Sequence, residues 1–214
     1  MTDKLERLSD KIVQKSNSEP NKENLESELT KIIKDLTKIK EEGNDLYKRN
    51  KKEEALKIFL KGYTQFHESS KIFNNEYSNS RQYEELLIIY KKILSNLALC
   101  YYKQGNYKEA IVYDLEMIAL DPKYGRSIVR LLKSYSKINK TQQAVFYGDV
   151  FRNLDMDTRN KFKGINEIIE EENIKLKKIQ KEENNKANKD LIKFVCPILI
   201  FIIAVIFFYL FKKR

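Results

Sequence analysis

Apolar residues recur at intervals of three and four along most of this chain, and that spacing is typical of amphipathic helices. The pattern is clearest in residues 38–59 and 93–113, where an apolar helical stretch is followed by a short break, a charged pair and an alanine. Residues 24–40 carry the same periodicity, which predicts that the first of these helices extends towards the N-terminus. Because Gly (6) and Pro (3) are too few for a turn-rich β fold, the chain is predicted to be all-α.

The two ends of the chain depart from this amphipathic pattern. Residues 1–22 are polar and lack the features of a signal peptide, so they are predicted to be disordered. Residues 194–211 are 18 residues without a charge, long enough for a transmembrane helix, and three residues follow them. A buried core helix is a poor alternative because the segment is apolar on every face. The segment is therefore predicted to be a C-terminal tail anchor that is inserted after synthesis, with the rest of the chain in the cytosol.

An internal repeat is visible in the spacing of three alanines. Ala110 and Ala144 are separated by 34 residues. Ala55 lies 55 residues before Ala110, which corresponds to one 34-residue period and an insertion of 21 residues. A fixed period of this length is the signature of a helical-repeat protein. Three repeats are predicted, near 36–69, 91–124 and 125–154.

These repeats resemble the tetratricopeptide repeat, in which two helices approach closely and are joined by a tight turn. Small residues occur at Gly43 and Ala98, although Leu132 departs from the pattern in the third repeat, and Pro122 is predicted to stop a helix. The turn positions hold residues that tolerate a left-handed backbone, namely Asn50, Gly105 and Asn139. The resemblance implies three helical hairpins stacked in a right-handed superhelix, within a domain at 23–154.

The resemblance also accounts for two segments outside the repeat frame. The insertion is expected to lengthen the second helix of repeat one and the first helix of repeat two, as in the similar repeat domains of FKBP-type immunophilins. Residues 155–187 are predicted to form a capping helix and a spacer, because a terminal repeat needs a cap with a polar outer face. The pattern over 158–187 predicts one continuous amphipathic helix, with Ile165 and Ile169 on its apolar side.

In the tetratricopeptide frame, fixed positions on the first helix of each repeat face a concave groove. Five polar residues occupy these positions: Lys40, Asn44, Asn96, Arg126 and Arg130. Three cations and two amides suit a carboxylate ligand, because they offer charge-assisted and amide hydrogen bonds. The set resembles the carboxylate clamp of chaperone-binding repeat domains and departs from it only at Arg126, where a lysine is usual. The resemblance implies that the ligand is the acidic C-terminal Glu-Glu-Val-Asp peptide of heat-shock protein 90 or 70. Leu99 and Lys103 are predicted to line the same groove.

The predicted function is that of a membrane-anchored adaptor or co-chaperone rather than an enzyme. Cys100 and Cys196 lie far apart and His67 is the single histidine, so the sequence offers no metal-ligand set and no catalytic triad. No cofactor is expected. The 35 residues before the first repeat are too few for the prolyl isomerase domain of an immunophilin. An alternative is a tail-anchored repeat scaffold for organelle division or protein import, with a different partner in the groove.

The charge and the anchor bear on partners and location. The net charge of +10 favours acidic partners, but the sequence lacks the organised aromatic or basic pattern of a nucleic-acid-binding protein. The anchor is expected to hold the repeats on the cytosolic face of an intracellular membrane. Its Ile and Phe content favours the endoplasmic reticulum over the mitochondrial outer membrane, and the sequence leaves open which of the two heat-shock proteins is preferred.

Overall fold

The amphipathic segments are helices in the computed structural model, which describes residues 22–71 and 80–212. The side chains of residues 22, 23, 192 and 194–212 lie outside this description. Within the described ranges the chain forms eight helices: α1 (Lys22–Lys48), α2 (Lys52–Ser70), α3 (Arg81–Lys103), α4 (Tyr107–Leu120), α5 (Gly125–Lys137), α6 (Thr141–Arg152), α7 (Met156–Asn160) and α8 (Ile165–Lys212). The prediction of an all-α chain is confirmed for these residues.

Helices α1 and α2 form the first hairpin. The chain reverses at Asn50, whose φ of 61° is the left-handed conformation that an asparagine side chain tolerates. The two helices approach closely because Gly43 has no Cβ, and a carbon added there would lie 2.5 Å from Phe59 Cε1. Ala55, one of the three alanines whose spacing defines the repeat, is 0% exposed. The small residues of the first repeat therefore serve helix packing, as the repeat frame predicts.

Helices α3 and α4 form the second hairpin, which turns at Gly105 with a φ of 82°. Ala110 and Met117 face inwards from α4 and are 0% and 1% exposed. The helix ends at Leu120, two residues before Pro122. This position confirms the helix stop predicted from the proline.

The insertion between the first two repeats lengthens the helices on either side of it. Helix α2 continues to Ser70, and α3 begins at Arg81, ten residues before the second repeat starts at 91. Ser80 caps α3, because its Oγ accepts a hydrogen bond of 3.1 Å from the backbone N–H of Tyr83. The lengthening predicted from the 21-residue insertion is confirmed.

The extended helices share one hydrophobic core. Helix α1 packs against both α2 and α3, and α2 also packs against α3. Each large side chain buried here contributes about 1.5–3 kcal/mol relative to an exposed position. The large, fully buried side chains that these three helices contribute to the core are Leu29, Leu36, Phe59, Leu86, Tyr90, Ile93, Leu94 and Leu97.

The chain divides within α5, between Ser127 and Ile128, into two compact units. In the second unit, α5 turns into α6 at Asn139, which has a φ of 57°. Tyr135 and Tyr147 connect these two helices by stacking, with ring centroids 5.6 Å apart. Helix α8 packs against α6, so closely that a Cβ added at Gly148 would lie 3.1 Å from Ile169 side-chain carbons.

The prediction of a single helix over 158–187 is wrong at its beginning. The segment starts in α7, and α8 begins only at Ile165, after Gly164 with a φ of 75°. Glycine adopts this left-handed conformation without steric cost, so it can separate two helices inside a stretch whose apolar spacing remains helical. Beyond the break the pattern holds, because Ile165 and Ile169 are 2% and 0% exposed.

No helix among the described residues was found to be long and apolar enough to cross a membrane. The predicted tail anchor at 194–211 falls on residues whose side chains lie outside the description. The predicted disordered N-terminus, 1–22, also lies outside the described residues, except that Lys22 is the first residue of α1.

Candidate peptide-binding site

The two amides of the predicted carboxylate clamp are in direct contact. Asn44 lies on α1 and Asn96 on α3, and Nδ2 of Asn96 donates a hydrogen bond of 2.7 Å to Oδ1 of Asn44. Both side chains are half-buried. Since a carboxamide carries two N–H donors and this contact uses only one of the four, the pair retains donors that a carboxylate can accept from.

Lys40 lies one helical turn before Asn44 on α1, and residues four apart share a helix face. Its side chain is 18% exposed, and its Nζ atom lies 3.8 Å from Oε1 of Glu41, which is 69% exposed. An ion pair with so exposed a partner contributes little to stability. A ligand carboxylate can therefore replace Glu41 at this ammonium group at small cost.

Arg126 lies in the first turn of α5 and is exposed. The start of α5 is held to α3 by Tyr124, whose hydroxyl donates a hydrogen bond of 3.2 Å to Oγ of Ser95. Ser95 is buried and directly precedes Asn96. This bond holds the start of α5 to the part of α3 that carries Asn96.

Arg130 follows Arg126 by one turn on α5 but has a different environment. It is 7% exposed and interacts with other groups of the protein. The repeat frame places this position on the groove face, where an exposed guanidinium is expected. Its burial was not evident from the sequence.

The two predicted groove-lining residues lie three and seven residues after Asn96 on α3, which puts all three on one face of the helix. Leu99 is half-buried and Lys103 is exposed. The described structure thus brings Asn44 and Asn96 into contact and places Lys40 one turn away from this amide pair.

A polar cluster that sequence analysis did not identify joins α2, α3 and α4. The Glu116 carboxylate accepts hydrogen bonds from the hydroxyl groups of Tyr63 and Tyr90, the first at 3.2 Å. His67 Nε2 lies 2.8 Å from the Tyr90 hydroxyl and 3.3 Å from the Glu116 carboxylate. The partners are separated by 26 and 53 residues, so no local sequence pattern announces the cluster.

Burial and the shared carboxylate change the acidity of these tyrosines. Burial raises the pKa of Tyr63 and Tyr90, and the adjacent Glu116 carboxylate raises both further. Burial, with a smaller effect of Tyr101, also raises the pKa of the neighbouring Tyr113 to about 12. The hydroxyl groups of Tyr63 and Tyr90 therefore stay protonated beyond the pH at which a free tyrosine ionises, and their hydrogen bonds to Glu116 tie the three helices together.

Comparisons with known proteins bear on the fold. Residues 91–124 match the family model of the tetratricopeptide repeat. The fold is TPR-like. The matched segment is the second predicted repeat, which contains the Asn96 side of the amide pair and all of α4. Stacked repeats of this kind form extended concave surfaces that bind other proteins.

A solved structure shows the same likeness over a longer stretch. The C-terminal TPR-containing domain of a candidate FK506-binding protein from Plasmodium falciparum superimposes with a TM-score of 0.57 at 22% sequence identity. The similarity covers 72% of this chain and 95% of that chain. At this identity the likeness is one of fold. A comparison with curated proteins gave no match.

Proposed function

We propose that this chain is a membrane-anchored TPR adaptor that binds the acidic C-terminal Glu-Glu-Val-Asp tail of cytosolic heat-shock protein 90 or 70. Its role is to dock the chaperone at the cytosolic face of an intracellular membrane, with the endoplasmic reticulum favoured. The TPR-like fold supports a function in protein–protein interaction.

The contact between Asn44 and Asn96 carries the proposal. Two amides on different helices, 2.7 Å apart, form a fixed donor pair. Lys40, one turn away, adds a cation whose present partner is a weakly held surface glutamate. This combination provides amide and ammonium donors for a terminal carboxylate, and such charge-assisted bonds are about twice as strong as neutral ones.

Arg126 extends the same chemistry to a second carboxylate. Arg126 lies two residues after Tyr124, whose hydroxyl is bonded to Ser95, and we assign it to the side chain of the last aspartate of the peptide. Arginine replaces the lysine usual in the carboxylate clamp and keeps the charge, while its planar fork also permits bidentate binding. Leu99 offers an apolar contact to the valine of the peptide.

The membrane part of the proposal rests on the sequence of residues 194–211. These 18 uncharged residues meet the length of a bilayer-spanning helix. The backbone there continues α8, and a helix satisfies every backbone polar group within the segment, as the bilayer interior requires.

The decisive experiment is a calorimetric titration of the full-length protein with two peptides that end in Glu-Glu-Val-Asp. One peptide carries the free C-terminal carboxylate, and the other is amidated at that position. We expect the amidated peptide to bind at least about tenfold more weakly, because a hydrogen bond to a charged group contributes about 1.5–3 kcal/mol. The two peptides share every side chain, so the comparison isolates the terminal charge.

Equal affinities for the two peptides would contradict recognition of the terminal carboxylate. That result, or no binding of either peptide to a folded protein, would favour the alternative of a tail-anchored scaffold for organelle division or protein import. Running the titration with the tails of both heat-shock proteins also measures which chaperone is preferred.

A further inference from the structure

Helix α8 joins the packed cap to the apolar segment without a break. One face of its first turns is buried, since Ile169 and Glu172 are 0% and 1% exposed. Every residue from 177 to 191 is exposed, yet the helix continues through them to Lys212. The exposed stretch is therefore a projecting part of one helix whose far end is the 194–211 segment.

Three lysines share one face of α8 next to this apolar segment. Lys186, Lys189 and Lys193 are spaced by three and four residues, which aligns them along a helix. Lys186 and Lys189 are exposed, and the side chain of Lys193 is 81% exposed. Its Nζ lies 4.0 Å from Asp190, which is itself 62% exposed, so this pair holds the ammonium group only weakly.

The distance of these lysines from the apolar segment sets what they can interact with. A helix rises about 1.5 Å per residue, so Lys193 adjoins Phe194, Lys189 lies about 7.5 Å away and Lys186 about 12 Å away. The Debye length at physiological ionic strength is about 8 Å. The headgroup layer extends about 5–7 Å beyond the hydrocarbon core. If the apolar segment occupies a bilayer, Lys186 therefore lies about 5–7 Å outside this layer, and all three charges are within one Debye length of it.

We propose that Lys186, Lys189 and Lys193 form a lysine face that docks on the anionic headgroups of the membrane. The inference rests on the proposed membrane anchor. The charge complementarity is that of ammonium groups with lipid phosphate and carboxylate groups, and anionic lipids attract such lysines when they lie directly beside a membrane-spanning helix. Asp190 is the one acidic residue between Lys186 and Phe194, so lysines outnumber carboxylates by two in this part of the helix, and Glu182 and Glu183 lie farther away, about 16–18 Å from Phe194.

The test offers the full-length protein to an equal mixture of two vesicle populations, followed by flotation. One population is phosphatidylcholine alone, and the other also contains phosphatidylserine at about one-third of the lipid. We expect the wild-type protein to favour the anionic vesicles by about tenfold or more, given an attraction of about 1 kcal/mol for each lysine near the surface. High salt should reduce this preference towards unity.

Two triple variants locate the effect. The lysine-face variant carries Lys186→Gln, Lys189→Gln and Lys193→Gln. The matched control carries Lys177→Gln, Lys178→Gln and Lys181→Gln, which removes the same charge from exposed positions of the same helix. These control positions lie about 20–26 Å from Phe194, beyond two Debye lengths. We expect the first variant to partition nearly equally between the vesicles and the control to keep the wild-type preference.

The outcomes separate the lysine face from the anchor. Capture by both vesicle types with no anionic preference, or equal loss of preference in both triple variants, overturns the lysine face and leaves the anchor standing. Capture by anionic vesicles alone, abolished in the lysine-face variant, supports the lysine face and contradicts the anchor. If neither vesicle type captures the wild-type protein, both proposals fail.

Discussion

At the scale of single residues, the two arginines of α5 differ in what a substitution reports. Arg126 is exposed, whereas Arg130 is 7% exposed. Truncating a buried, interacting arginine removes contacts within the protein, so a loss of binding would be mixed with a loss of stability. The exposed arginine therefore provides the cleaner test of the carboxylate clamp.

We predict that Arg126→Ala lowers the affinity for the free-acid peptide about tenfold or more, because a charge-assisted hydrogen bond to the ligand is lost. The free energy of unfolding should change by no more than about 0.5 kcal/mol, as expected for an exposed residue. Calorimetry with thermal melts measures both quantities. Lys123→Ala, which removes an exposed cation three residues earlier, is the control and should bind normally. Unchanged affinity in Arg126→Ala would remove this residue from the site.

The buried tyrosines predict a loss of stability at alkaline pH. Their folded-state pKa values are raised, that of Tyr113 to about 12, whereas unfolded tyrosines titrate near about 10. The unfolded chain therefore releases these protons first. The stabilising contribution is present below about pH 10 and is lost as the pH rises through the folded pKa values.

The variant Tyr90→Phe should show a smaller fall in the free energy of unfolding between about pH 9 and 11 than the wild type. At neutral pH the substitution should lower the free energy of unfolding by about 1–2 kcal/mol, because the Tyr90 hydroxyl of the wild type donates a hydrogen bond to Glu116. Urea denaturation at several pH values measures both effects. Tyr107→Phe removes the hydroxyl of a half-buried tyrosine outside the cluster, at the start of α4. It is the control for the fall in the free energy of unfolding at alkaline pH. Parallel slopes for the wild type and Tyr90→Phe would contradict the assigned role of the cluster.

At the scale of elements, the close approach of α1 and α2 depends on Gly43. In an isolated helix, Gly→Ala would stabilise by about 1 kcal/mol. Here the added carbon would lie 2.5 Å from the ring of Phe59, which is 1% exposed and belongs to the hydrophobic core. We predict that Gly43→Ala destabilises the protein by about 1–3 kcal/mol through overpacking.

A second substitution tests whether the Phe59 ring is the cause. Phe59→Leu alone should also destabilise, because it leaves a cavity in the core. The double variant Gly43→Ala/Phe59→Leu should be less destabilised than the sum of the single variants, since each change relieves the defect of the other. Denaturation midpoints for the four proteins complete this cycle. Additive losses would show that the two side chains do not limit the approach of the helices.

At the scale of the whole molecule, membrane attachment should depend on residues 194–211. We predict that a chain without 194–214 remains in the supernatant after cell fractionation, whereas the full-length chain resists carbonate extraction from the membrane pellet. The physical reason is that this segment supplies about 18 apolar residues to the bilayer. Replacing it with an unrelated apolar segment of equal length should restore attachment. Continued pelleting of the truncated chain would contradict the anchor.

The features that the sequence determined by itself are those encoded by local spacing and by the internal repeat. The three- and four-residue spacing of apolar side chains defines the helices, because it places them on one face. Asn50, Gly105 and Asn139 were predicted as turns from residue type, and all three have positive φ values. The insertion likewise predicted the longer α2 and α3. For the candidate site, the repeat frame placed Asn44 and Asn96 on the helix positions where they meet.

Tertiary structure alone decided the features that depend on distant residues. Tyr63 and Tyr90 converge on Glu116 across sequence separations of 53 and 26 residues. The burial of Arg130 likewise became evident only in the folded structure. The helix break at Gly164 was not predicted. The spacing of apolar residues indicates which side chains share a face, but it does not show whether the helical backbone is continuous. Local sequence specifies the backbone conformation and the face of a helix on which each side chain lies. The partner of a buried polar group is selected only when the helices pack, because a group left unpaired then costs about 1–3 kcal/mol.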